Sequence, residues 1–424
     1  MNQSPDEINT GVPPPLPAPA PGISLARQCL VILLSLCLGL FIADAVVSLV
    51  DDTLIVLFNV HLLGAVRSMV GFVFLLLTVL IYGLMGLTPM IPKRLFLPVT
   101  LFGPVTLLLA LPCLIYFYTH NQQVTWCISF GELLCSLGIL CVVQGGLKLR
   151  WPLFPEKLLK VRGFSWWNLS TFFMVNVFIL LPAALAYLLF CTALGVDHFS
   201  AGFMKLHPGG LAVEVKQYVR ADGKTIQLFP MSHIADAAFY QQIAQSFPTN
   251  SIVLREGVTD SKKLLTNTIS YKRAAVSLGL AEQQKAFDPD RGEQVRADID
   301  VDEFAPVTLD LLNFVMLIHA KGLNADNLSK LLQYPAPPGF EEQLLEDLLR
   351  KRNRHLLGEI KTRLAQTDHI VVPWGVAHMP GLAEEIEKSG FHLVETREYM
   401  NIRFHFPGGR KLNTSPPPSL VQPK

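Results

Sequence analysis

Apolar residues crowd the first half of the chain into long, barely interrupted runs. Five of them, at 27–49, 68–88, 95–118, 125–147 and 170–195, are long enough to cross a bilayer, which takes about 20 residues. A shorter run at 54–66 ends at Arg67, and either extends the second span or lies along the interface. Pro98, Pro104 and Pro112 punctuate the third span, as membrane helices tolerate when neighbours satisfy the freed carbonyls. Near Val196 the pattern changes to short strand-like runs and amphipathic helices. Positions 211–220 and 224–229 read as two strands joined by Ala221-Asp222-Gly223, a hairpin turn. Helical spacing follows over 234–247, then a strand at 251–255. A long amphipathic helix is expected over 341–364, a strand at 370–373, a helix over 380–389 and a last strand at 391–396. Proline is too dense for a helix in 1–24, so that segment is expected to be a disordered tail, as is 409–424.

Composition sharpens this division. Apolar residues make up 50% of the 424 positions and charged residues 16%, well below the usual quarter. The net charge of +1 and the lack of a basic stripe argue against nucleic acid as a partner. All 7 cysteines (Cys29, Cys37, Cys113, Cys127, Cys135, Cys141, Cys191) fall in the apolar half, so the domain after Val196 uses no disulfide or thiolate chemistry. With five spans, one side of the bilayer receives Arg27, Lys93, Arg94, Lys148, Arg150, Lys157, Lys160 and Arg162, while the opposite short loops hold little besides Arg67. The basic side is expected to be cytoplasmic, which places the amino terminus inside and the soluble domain outside the cell membrane. Asp44 and Glu132 lie within spans and have no evident basic partner. An acid in a membrane points to function by default. The plainer expectation is that Asp44 reaches the interface and Glu132 is protonated or bonded to a neighbouring helix.

Two segments of the soluble domain echo each other: TIQLFPMSHIADAAFYQQIAQSFPTNSIVLREGV and HIVVPWGVAHMPGLAEEIEKSGFHLVETREYM. Each runs strand, short turn, histidine, helix, strand, carboxylate. His233 and His378 hold matched places, and Glu256 and Glu395 follow the next strand. Ligands of α/β sheets gather beyond the carboxyl ends of the strands, so two half-sites are expected to face one another. The expected architecture is therefore a membrane α-helical half of about five spans (25–195), then an α/β soluble domain (196–408) with two pseudo-repeated strand–His–helix halves.

The segments MSHI, LREGV, LRKRNRHL and WGVAHMPGL resemble the TraB/PrgY/GumN group, which includes the Tiki membrane proteases. That family has two Gly-x-x-His motifs, a glutamate after the strand following the first, and an arginine on a helix before the second. The second motif is intact as Gly375-Val376-Ala377-His378, whereas the first is Pro230-Met231-Ser232-His233, with proline in place of glycine. The glutamate matches Glu256, and the helix motif matches Arg352 and Asn353. The resemblance covers about 225–400 and not the membrane half. It implies metal-dependent hydrolysis of a peptide or protein. Imidazole and carboxylate donors suit zinc, manganese or cobalt, so His233, His378 and Glu256 are the expected metal ligands. Glu256 doubles as candidate general base and Arg352 as oxyanion stabiliser. A non-catalytic ligand-binding or signalling domain, and a transporter with an accessory soluble domain, are the alternatives. Asp298, Asp300 and Asp302 alternate in ADIDVDEF and are expected in a solvated loop or helix entry. Asn327-Leu328-Ser329 fits a glycosylation acceptor.

Overall fold

The computed structural model describes residues 25–161, 163–266, 270–321, 329 and 339–404. The two tails and Asn327-Leu328 lie outside the described residues. The chain divides into two compact units after Leu188.

The first unit contains helices α1 (Leu25–Phe58), α2 (Gly64–Leu87), α3 (Lys93–Tyr116) and α4 (Asn121–Gln144), and α5 (Trp166–Phe199) begins in it. These five helices are long and apolar enough to cross a membrane, and the protein is a membrane protein on that ground. Their shared core includes Leu34, Leu38 and Phe41 of α1, Ile81 and Met85 of α2, Phe96 of α3 and Leu140 of α4. The run at 54–66 extends the second span only through its last residues, from Gly64. Its start completes α1, its middle is the link to α2, and its end opens α2.

Charge explains how α1 continues past its apolar run. Asp51 and Asp52, both buried, are answered by Arg67 of α2 at 3.5 and 2.6 Å. Ser129 of α4 also donates to Asp52 at 2.6 Å, and the Leu63 amide donates to Asp51 at 3.2 Å. A buried charge left unpaired costs several kcal/mol, so this network ties α1, α2 and α4 together.

The second unit is built on a seven-stranded mixed sheet: β1 (Met204–His207), β2 (Gly210–Arg220), β3 (Thr225–Met231), β4 (Ile252–Arg255), β5 (Glu293–Arg296), β6 (His369–Gly375) and β7 (Phe391–Arg403). β2 and β3 form the expected hairpin, in register Lys216↔Leu228 to Val219↔Thr225, with Gly223 at φ +86 in its turn. β2 pairs antiparallel with β7 along its whole length and with β1 over its first residues. β3 pairs parallel with β6, β6 with β4, and β4 with β5. The carboxyl ends of these four strands therefore share one edge.

β6 is buried on both faces, as a central parallel strand should be. Ile370, Val372 and Trp374 pack on one side with Leu356 and Ile360 of α8 (Arg352–Arg363) and Leu382 and Ile386 of α9 (Met379–Lys388). Val371 packs on the other side with Phe239, Tyr240 and Ile243 of α6 (Ala237–Gln245), and α7 (Pro306–Lys321) follows β5 in the chain. The helix expected over 341–364 runs from Phe340 to Arg363 and contains a π-turn, Glu346–Lys351, ending directly before Arg352. Such turns re-aim the residues around them.

Candidate functional site

β4 leaves β6 after the pair Val253↔Val371. Two residues further along β6, Pro373 has no N–H to offer a neighbouring strand. The Gly375 N–H is taken instead by a side chain, donating to Glu256 Oε2 at 2.5 Å. A Cβ on Gly375 would stand 3.3 Å from that oxygen, so glycine leaves room for the carboxylate. Beyond Gly375 a single 3₁₀ turn carries His378 to the start of α9 and buries it, 3% exposed.

α8 supplies the remaining groups. Arg352 grips Asp298 through two bonds, Nε to Oδ1 at 3.0 Å and Nη2 to Oδ2 at 2.7 Å. Its Nη2 also donates to Glu256 Oε1 at 2.7 Å, and its Nη1 lies 3.2 Å from His378 Nε2. Asn353 donates from Nδ2 to the His378 carbonyl at 3.4 Å, which turns its Oδ1 towards the ring, 2.7 Å from Nδ1. That oxygen only accepts, so the network assigns the imidazole proton to Nδ1 and the lone pair to Nε2. Trp374, fully buried, underlies the cluster with its ring 5.3 Å from the Arg352 guanidinium, edge-on to His378, and donates its indole N–H to Leu254 O at 2.9 Å.

Exposure grades these groups. The Asp298 side chain is 0% exposed, that of His378 4%, Arg352 13% and Glu256 17%. Glu256 and Arg352 are thus the pair that a solvent-borne molecule meets first. Asp298 has no acceptor capacity to spare, because the Gly257 and Ile299 amides donate to it as well, each at 2.9 Å. It is an anchor for Arg352, not the solvated loop or helix-entry residue expected from ADIDVDEF, whereas Asp300 does stand at a helix entry, capping the 3₁₀ turn Val301–Glu303. Asp300 and Asp302 keep structural roles. Asp300 accepts from Thr259, Ser261 and Asp302, and Asp302 pairs with Lys262.

Burial pushes the His378 imidazole down to about 4, and the nearby Arg352 charge acts the same way, against the pull of Glu256 and Asp298. His378 is therefore neutral at physiological pH. The unfolded chain takes up this proton near the ordinary 6.5, so the unfolded state binds more protons between about 6.5 and 4. The histidine's contribution is fully present above pH 6.5 and is lost as the pH falls towards 4. At 1.36 kcal/mol per unit the loss is on the order of 2–3 kcal/mol. In denaturant titrations at pH 7 and pH 4.5, His378→Asn is expected to flatten that part of the pH dependence. An unchanged slope would remove His378 as its source.

His233 is not brought into this cluster. After β3 the chain stays extended, and Ile234-Ala235 pairs with Ala281-Glu282, so His233 lies ahead of a bridge and not at a helix start. Its exposed ring stacks on Tyr271 at 4.8 Å, and its carbonyl accepts from the Gln283 amide. Glu395 also departs from its expected place. It sits within β7 opposite Gln217 and pairs with Arg397 at 2.6 Å. The two echoing segments thus put their first strands side by side but place their histidines and glutamates differently.

Of the expected metal ligands, Glu256 and His378 meet in this cluster, Oε1 3.6 Å from Nε2, while the His233 ring stacks on Tyr271. The Arg352 guanidinium occupies the space that a cation shared by Glu256 and His378 would need. Among the described residues, no group of three His, Cys, Asp or Glu is placed to hold a metal ion. Searches against family models, curated proteins and solved structures find no match to this chain.

Proposed function

We propose that this chain is a multi-pass membrane hydrolase of peptides or proteins, with its α/β domain on the extracytoplasmic side and Glu256 and Arg352 as its catalytic residues. The observation that carries the reading is the placement of a carboxylate and a guanidinium, 2.7 Å apart and partly exposed, at the shared carboxyl edge of β4, β5 and β6. The TraB/Tiki resemblance of the same residues supports it. The orientation rests on the basic bias of the short loops. Arg67, the main basic residue of the opposite loops, is already spent on Asp51 and Asp52.

The chemistry needs four moves. Glu256 uses two of its roughly four acceptor positions on Arg352 and Gly375, and a free position takes a proton from water. The water oxygen attacks the amide carbon, and the Arg352 N–H groups face the oxygen that becomes negative. The proton on Glu256 then passes to the leaving nitrogen as the C–N bond breaks. Asp298 and His378 hold the guanidinium in register. These moves are written for the chain's own residues alone.

A ligand-binding domain without turnover is the second reading. It is favoured by the near-complete internal satisfaction of the cluster, the mark of a rigid framework. Two alanine variants of the full-length protein distinguish these cases, with peptide cleavage and a melting curve measured on each. His378→Ala is expected to lower kcat/KM by about 100-fold, in the range of a lost positioned group. His233→Ala is expected to stay within about threefold of the parent, since it touches none of these groups. Equal large losses in both variants would restore a joint two-histidine site, and a parent with no turnover would leave the binding reading.

A further inference from the structure

We propose that the polar end of the helical unit holds a binding site for the phosphate headgroup of an anionic glycerophospholipid. The site is a cavity of about 540 Å³ where α2 ends and α3 and α5 begin, lined by Lys93, Arg94, Lys160 and Asn168 against Ile91 and the flanking prolines. It is independent of the hydrolytic reading.

Three cations converge there without an anion. Among the described residues, none of Lys93, Arg94 and Lys160 pairs with a carboxylate. The ion pairs among the described residues of this unit are Arg27 with Glu156 and Arg67 with Asp51 and Asp52. The Lys160 amide donates to Met90 O at 3.0 Å, which holds the Lys160 loop beside the start of α3, so that Lys160 and Lys93 line the same cavity. Like charges held together in a partly desolvated cavity are unfavourable unless a counter-ion joins them.

The neutral lining is pre-ordered around the same point. Asn168 donates from Nδ2 to Met85 O at 3.1 Å and Gly86 O at 2.7 Å, and its Oδ1 then accepts from Lys93 Nζ at 2.7 Å. Lys93 Nζ also lies over the Phe172 ring at 5.1 Å. One ammonium N–H is thereby used, and two of its three remain for phosphate oxygens.

The occupant is a lipid because of where the cavity lies. Its residues stand at the ends of membrane-length helices, which is the depth of headgroups. Trp166 and Trp167, next to Asn168, are 73% and 82% exposed, and Leu87 at the end of α2 is also exposed. Indole rings favour this layer of a bilayer. Basic pockets between helix ends on the cytoplasmic side bind lipid phosphates.

The test uses the full-length protein in detergent, titrated with phosphatidylglycerol, phosphatidylcholine or inorganic phosphate, with binding read by native mass spectrometry and by the shift in melting temperature. Phosphatidylglycerol is expected to bind saturably and raise the melting temperature, and to do so less at high salt. Phosphatidylcholine and inorganic phosphate are expected to do neither at matched concentration. Arg94→Gln with Lys160→Gln is expected to weaken phosphatidylglycerol binding by roughly 25-fold, about fivefold per charge removed. The melting temperature in phosphatidylcholine should stay at the parent value. If the double variant does not fold, Arg94→Gln alone should show the fivefold loss. Equal binding of phosphatidylcholine, binding of inorganic phosphate without lipid, or undiminished binding by a folded variant would each overturn the site.

Discussion

Arg352→Met is expected to unfold the carboxy-terminal domain well below the melting temperature of the parent. Methionine keeps most of the length and apolar bulk of arginine but leaves two carboxylates without their cation. Asp298 is the more serious loss, because its side chain is wholly buried and takes a two-point grip from the guanidinium. Removing one partner of a buried ion pair costs about 3–5 kcal/mol, a large share of the 5–15 kcal/mol that holds a typical domain together. For a unit of this size each kcal/mol moves the midpoint by roughly 2–4 °C, so a fall on the order of 6–20 °C is expected in a melting curve of the full-length protein. Arg352→Lys should recover only part of it, since an ammonium cannot serve Asp298, Glu256 and His378 through one planar fork. Adding Asp298→Asn to Arg352→Met should also recover part, by removing the stranded charge. A midpoint within 2 °C of the parent for Arg352→Met would show that the network is dispensable.

The membrane half was legible because its signal is additive over about 20 residues, and all five spans were found. The ends were less so. Asp51 and Asp52 look like the close of an apolar run, and only the three-dimensional approach of Arg67 shows why the helix continues to Phe58. In the soluble unit, β3, β4 and β6 are apolar runs and were read directly. The helix expected over 234–247 begins only at Ala237, because the apolar spacing continues into the bridge Ile234-Ala235, whose pairing with Ala281-Glu282 is non-local.

The site is legible in four of its members, Glu256, Arg352, Asn353 and His378, through motif and strand-end position. Asp298 was missed for a definable reason. The strand that leads to it, β5, reads EQVR, too polar to be recognised as a strand. Once Arg255 and Arg296 are known to be register partners, Glu256 and Asp298 fall at the same strand edge. His233 misled because its sequence neighbourhood matches that of His378 while its backbone does not.

Glu256→Gln in the purified full-length protein is the most direct test of hydrolysis, scored by cleavage of a mixed peptide library. An amide keeps the volume of the carboxylate and cannot take a proton from water at neutral pH. It also turns an NH2 towards either Arg352 Nη2 or the Gly375 N–H, both of which are donors. A stability loss of about 1–3 kcal/mol is expected from that mismatch, so a melting curve accompanies each assay. Glu256→Asp serves as a control that keeps the charge. The account predicts cleavage by the parent and a loss of 100-fold or more in a folded Glu256→Gln, in the range of a removed general base. A folded Glu256→Gln with the parent's activity, or a parent that cleaves nothing, would contradict it.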